Sequence, residues 1–378
     1  MCQGPDRDLD SLLPVKTGCL TEVNVHCSRR DSSTNLHVKN MDSITNFICM
    51  PCFLHIRRKM IKKMIILGLF LMMLIIHPVY PRDIYDVPSP DEPGPYHIGF
   101  YRVSYDVSPY GRYQAAIRYP AKNDGLLAPH DPSGAPFPGI IVGNGFAGSD
   151  RNIKWICRHL TSHGYITICF TPPNNILGDP TQWAYGFQGG IDKLKSQNSG
   201  YFSPIHGLLD TTVFGAIGLS MGGAGCIEAT GSQSSEIDTA VALAPARFDS
   251  TLSAAKNITV PIQLQVGNND GMVPPERVLP YYANFTGYDM VKEYLSIKGG
   301  NHIGFIDEFY ARIAKWLGLD KLHSIEFEEQ RRISSKYFTS WFHYHLLDHT
   351  EYFTYIFGDE AMNDLHSGIL SDLRYYIP

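Results

Sequence analysis

The chain has 378 residues, with 32 Lys+Arg against 37 Asp+Glu and a formal net charge of −5. At 44% apolar it has a globular composition, which excludes a disordered chain. Its mild acidity argues against a nucleic-acid binder, which would carry a basic patch or stripe, and no heptad array or fixed-period repeat is present.

Residues 1–59 read as a polar tail without sustained hydrophobic period, holding five of the eight cysteines. Cys49-Met50-Pro51-Cys52 has no second pair at zinc-finger spacing and is not read as a metal site. Basic residues from Arg57 to Lys63 then precede an apolar run from Met64 to Ile76. That run is short beside the ~17–25 residues of a membrane span. Residues 60–80 therefore read as a secretory signal, or as a short signal anchor contacting the membrane through 64–76 if uncleaved. Translation starting at Met60 or Met64 is the preferred reading, because Met60 heads a normal signal pattern. The expected location is secreted or cell-envelope. Residues 81–95, rich in Pro and Asp, read as a linker.

From residue 96 the pattern changes. Strands are expected at Ile98–Tyr105 and Tyr113–Tyr119, and a short apolar strand at 139–142 runs into Gly143-Asn144-Gly145. A helix at 150–163 precedes a strand at Tyr165–Phe170. A helix candidate follows at 182–195, then a strand at Val213–Gly218 and a helix at 221–230. Strands at Ala240–Leu243, Ile262–Val266 and Met290–Ile297 alternate with helices at 275–284 and 305–318. Short apolar strands alternating with helices indicate a mostly parallel, doubly wound α/β sheet covered on both faces. The expected catalytic domain is 96–320. Residues 321–378 read as a helical extension, with Tyr337, Trp341 and Tyr344 as a packing stripe. Cys157, Cys169 and Cys226 lie in apolar contexts and read as buried thiols.

The chemistry concentrates in three loops. Gly218-Leu219-Ser220-Met221-Gly222-Gly223 is a G-x-S-x-G motif between a strand and a helix. The glycines allow a turn too tight for Cβ atoms, which holds Ser220 out at the strand end. A serine hydroxyl needs a base and an orienting carboxylate. Asp270 lies just past the strand 262–266, and His302 in the loop after 290–297. Their order (Ser, acid, His) is the one this motif demands. All three fall on the edge where a parallel sheet binds ligands. Two backbone N–H groups should receive the oxyanion, those of Met221 and Phe146. The Phe146 ring, Leu219 and Ala246 are the expected substrate contacts. His343, His345 and His349 resemble a metal cluster only loosely, so no metal and no cofactor is assigned.

These motifs resemble the α/β-hydrolase superfamily, specifically its dienelactone-hydrolase-like, platelet-activating-factor-acetylhydrolase-like and cutinase-like esterases, a neighbourhood that includes poly(ethylene terephthalate) (PET) hydrolases. The likeness runs from about Gly94 to about Gly358. It rests on Gly94-Pro95-Tyr96-His97-Ile98-Gly99, Tyr119-Pro120-Ala121, Gly145-Phe146 and the elbow at Ser220. The resemblance implies an α/β-hydrolase fold, an acyl-enzyme mechanism with Ser220 as nucleophile, Asp270 as acid and His302 as base, and a small or polymeric ester as partner. Leu219 replaces the His or Trp usual before the serine. Ala244-Pro245-Ala246 stands where polyester-degrading members tend to have a Pro-Trp pair. The expected activity is hydrolysis of carboxylic esters. The alternatives are lipase, phospholipid acyl hydrolase or polyester hydrolase and, more remotely, a non-catalytic binding protein.

Overall fold

A computed structural model describes residues 89–287 and 289–378. The signal or anchor at 60–80, the tail 1–59 and its CxxC lie outside the described residues. So does most of the linker.

The chain enters through a hairpin of β1 (His97–Val107) and β2 (Gly111–Ala121), paired residue for residue across a turn at Ser108-Pro109-Tyr110. A two-residue β3 (Gly125–Leu126) flanks β1. The alternating units follow: β4 (Phe137–Gly143), α1 (Lys154–Ser162), β5 (Ile166–Thr171), α2 (Pro180–Ser199), β6 (Leu209–Leu219) and α3 (Met221–Thr230). Then come β7 (Thr239–Leu243), α4 (Asp249–Ala255), β8 (Ile262–Gly267), α5 (Pro275–Asn284) and β9 (Lys292–Ile297). α6 (Glu308–Trp316), α7 (Phe327–Leu346), α8 (Phe353–Ile356), α9 (Asp359–His366) and β10 (Leu370–Tyr376) complete it.

One ten-stranded sheet results, in the order β10-β9-β8-β7-β6-β4-β5-β2-β1-β3. Strands β4 through β9 pair in parallel, while β1/β2, β2/β5 and β9/β10 are antiparallel. Every residue of β4, β7 and β8 is buried, which explains the near-continuous apolar runs of β4 and β7; β8 also buries Gln263 and Gln265, whose amides bond to Glu293 and to each other. Helices α2 to α5 contact one another along one face, and α1 and α7 meet on the other. α2 starts where Asp179 caps the Gln182 N–H at 3.2 Å and Pro180 occupies the first turn. Tyr337 and Trp341 of α7 are fully buried on the sheet, and Trp341 Nε1 donates to Thr239 Oγ1 at 2.7 Å. Among the described residues the cysteines 157, 169 and 226 are buried free thiols.

The C-terminal extension is not helical throughout, which corrects the expectation for 321–378. After α9 the chain forms β10 and covers the outer edge of β9, an edge that would otherwise expose unpaired backbone groups. Its pattern hid it: a register shift between Leu370 and Asp372 breaks the two-residue alternation that marks a strand.

β4 leads sideways to β5, and β6 leads the opposite way to β7. The strand order thus reverses between β4 and β6, leaving a crevice outside their carboxyl ends. The site lies there.

Candidate active site

Ser220 joins β6 to α3 at φ 57° and ψ −113°. A non-glycine residue there stores roughly 1–3 kcal/mol, tolerable only where the surroundings over-determine it. They do. The Ser220 N–H donates to Leu243 O at 2.9 Å, and its carbonyl accepts from the Ala224 and Ala246 N–H groups at 2.9 Å each. The neighbouring glycines are spatial necessities. A Cβ on Gly218 would strike the Gly222 backbone, and one on Gly222 would strike the carbonyls of Gly143 and Asn144. The start of α3 therefore lies directly on the loop after β4.

That loop is held tightly. Trp183 Nε1 donates to Asn144 O at 2.7 Å, the Ala147 N–H to Asn175 O at 2.8 Å, and Asn175 Nδ2 to Gly148 O at 2.6 Å. It runs beside the serine: a Cβ on Gly145 would sit 3.4 Å from Ser220 Cβ. Among the described residues no backbone carbonyl takes the N–H of Phe146 or of Met221. Phe146 follows Gly145 with its ring 56% exposed.

Across the crevice, His302 Nδ1 and Asp270 Oδ2 are 2.8 Å apart, with both residues buried. The other Asp270 oxygen accepts from the N–H groups of Met272 at 2.9 Å and Val273 at 2.6 Å. Three donors on a buried carboxylate satisfy the charge that burial would otherwise penalise.

Two further residues hold His302 in place. Asp320 Oδ2 accepts from the His302 N–H at 2.7 Å and the Ile303 N–H at 3.2 Å, while its Oδ1 accepts from Gly271 N–H at 2.8 Å and Lys321 N–H at 2.7 Å. It thereby ties the loop of Asp270 to the loop of His302. Gln330, buried in α7, brackets the preceding Asn301: its Oε1 accepts from the Asn301 N–H at 2.9 Å and its Nε2 donates to Asn301 O at 2.7 Å. No sequence pattern singled out either residue, because neither sits in a motif or at a strand end.

The expected substrate contacts divide. Phe146 stands open to solvent, and Ala246 is half-buried beside Ser220, its carbonyl accepting from the Tyr281 hydroxyl at 2.7 Å. Leu219 is 2% exposed and packs into the core. It is the last residue of β6 and supports the elbow from within the core.

The histidines outside the site carry other duties. His163 Nε2 meets Glu92 O at 2.9 Å, His159 Nε2 meets Pro90 O at 2.9 Å, and His343 Nε2 lies 3.3 Å from His163 Nδ1. Burial lowers the pKa of all three, His159 to about 3 and His343 well below the ordinary value. Among the described residues no group of three or more His, Cys, Asp or Glu side chains is arranged to hold a metal ion, and no helix is long and apolar enough to cross a membrane.

A family model and several known proteins match this chain. The family model described as PETase, PET hydrolase-like, matches residues 91–369. Cutinase est1 of Thermobifida alba is 23% identical over 209 residues, covering 55% of this chain and 64% of that protein. The bis(hydroxyethyl) terephthalate hydrolase of Streptomyces coelicolor is 24% identical over 211 residues, 55% of this chain and 61% of its own. Lipase 1 of Moraxella sp. is 26% identical over 212 residues, 55% and 59% respectively. The match spans a little under two thirds of each of these relatives.

Proposed function

This chain belongs to the PET hydrolase-like family, and from that premise we propose that it hydrolyses carboxylic esters through an acyl-enzyme on Ser220. In this reading Ser220 Oγ attacks the ester carbonyl as His302 Nε2 takes its proton. Asp270, bonded to Nδ1, holds the imidazole in the required tautomer and stabilises the imidazolium. The N–H groups of Phe146 and Met221 receive the developing oxyanion. The imidazolium returns its proton to the departing alkoxide. Water, activated by His302, then attacks the acyl-enzyme and restores the serine.

The observation that carries the reading is the buried 2.8 Å Asp270–His302 pair on the sheet edge that also holds the strained Ser220. The names of the relatives (cutinase, bis(hydroxyethyl) terephthalate hydrolase, lipase) support an ester of polyester or lipid type as substrate. Phe146 and Met272, on the loops of the site, and Ile176 and Leu177, on the loop bonded to that of Phe146, are exposed apolar side chains, which favours bulky esters.

The test compares the full chain with Ser220→Ala on p-nitrophenyl esters from acetate to palmitate. Turnover by the parent should fall by several orders of magnitude in the variant, and a fluorophosphonate should label Ser220. Turnover surviving in the variant would place the nucleophile elsewhere. No turnover and no labelling would leave a binding protein on a hydrolase scaffold.

A further inference from the structure

Between His302 and α7 the fold leaves an apolar face outside. α6 turns Ala311 and Ala314 toward the body of the protein. Its large apolar side chains point away: Trp316 is 84% exposed and Phe309 66%, with Ile313 and Leu317 beside them. At about 100° per residue these four fall within one arc of about 100°. The stripe that ordinarily faces a core therefore faces solvent. Leu319 and Leu322 extend it, Leu322 at 79% exposure. Large apolar side chains scattered singly over a surface need no explanation, but six within 14 consecutive residues do.

The face adjoins the site. Asp320, within the same stretch, bonds the His302 and Gly271 N–H groups, and Met272, next to Gly271, is itself exposed.

Its charges are sorted. Arg312, Lys315 and Lys321 are exposed, and of the three Arg312 is ion-paired to Glu308. The carboxylates of the stretch are all engaged: Asp307 with Lys154 at 3.6 Å, Glu308 with Arg331 and, at the surface, with Arg312 at 2.7 Å, Asp320 with four backbone N–H groups. Trp, Phe and Leu on one side with Lys and Arg beside them is the pattern of helices that lie in a lipid interface.

We propose that the α6 face docks this domain on a phospholipid bilayer containing anionic lipid, which brings the crevice mouth to the interface. The occupant is chosen by the cations: an anionic headgroup layer complements them, whereas a polyester film or a second copy would use the apolar stripe alone. The inference goes beyond ester hydrolysis and is tested in a chain with Ser220→Ala, so its failure is separate from failure of the hydrolase reading.

Trp316 supplies the probe. Trp183 and Trp341 are fully buried and Trp155 is half-buried. Full-length protein is titrated with phosphatidylcholine vesicles, with and without phosphatidylglycerol. Tryptophan emission should move to shorter wavelength on the anionic vesicles, and salt should reverse it. Lys315→Gln and Lys321→Gln should each weaken binding by roughly five-fold at low salt. Phe309→Ser with Ile313→Ser should abolish the shift while p-nitrophenyl acetate hydrolysis in the Ser220 chain is unchanged. Co-sedimentation with unmoved emission would assign binding to another part of the chain and overturn the proposal. An equal, salt-insensitive shift on neutral vesicles, or one that grows with protein concentration alone, would overturn it equally.

Discussion

His302, in the loop after β9, is buried against a carboxylate, whereas His159, His163 and His343, packed between α1 and α7, are buried against carbonyl oxygens and one another. The first setting favours an imidazole that gains charge during a reaction cycle, since Asp270 stands ready to compensate it. The second disfavours the charged ring: desolvation acts first, and the neighbouring rings add repulsion in His159 and His343. In the proposed mechanism the same residue type is a chemical group in one region and a packing group in the other. Its partner, not its burial, makes the difference.

Removing the partner should break the contrast most sharply. Asp270→Asn keeps the shape of the site but favours the wrong tautomer of His302. Ester turnover should drop by about ten-thousand-fold, read as kcat on a soluble p-nitrophenyl ester, with thermal unfolding little changed. A loss under ten-fold would remove Asp270 from the mechanism. Asp320→Asn comes next. It leaves Asp270 in place and loosens the tie between the two loops, so kcat should fall by up to about a hundred-fold, the scale of a one-ångström misplacement. KM should hold, and Asp320→Glu should restore part of the loss. Equal loss in both variants together with a raised KM would make Asp320 a substrate contact instead.

The packing histidines should be visible in stability. Their folded-state pKa values lie below the ordinary value of about 6.5, at about 3 for His159. Above about pH 6.5 neither folded nor unfolded chain protonates them. As pH falls below that, the unfolded chain takes up protons and the folded chain does not. Stability therefore declines from about pH 6.5 down to the folded pKa values, by up to about 1.4 kcal/mol per pH unit for each ring. Urea midpoints across this range check it, and His343→Phe should flatten the slope.

The smallest effect concerns a second buried carboxyl. Asp270 has three hydrogen-bonding partners, but Glu293 on β9 has only Gln263 Nε2 at 2.5 Å for one oxygen, and its other oxygen has no partner among the described residues. Burial pushes its pKa well above the usual carboxyl range. The unfolded chain ionises this group above about pH 4.3 while the folded chain does not, so Glu293 subtracts stability as pH rises. Glu293→Gln should raise the melting temperature more at pH 8 than at pH 5. An equal shift at both would mean that the carboxyl is ionised in place.

The sequence alone located the parts whose causes are local. A short apolar run bounded by turn residues marks a strand covered on both faces, so β4 and β7 were legible. The glycines around Ser220 signalled a turn that no Cβ could enter. Asp270 and His302 could be placed at strand ends because a parallel sheet delivers its loops to one edge. What tertiary structure alone decided depends on neighbours distant in the chain. Asp320 and Gln330 are anonymous in sequence and acquire meaning only where α7 and the preceding loop fold back on His302. Leu219 was expected to contact substrate, but it is buried in the core. β10 was hidden by its bulge. α6 reads as an ordinary amphipathic helix, because periodicity records that a helix has an apolar side and is silent on which way that side faces. Only the packing of Ala311 and Ala314 decided that.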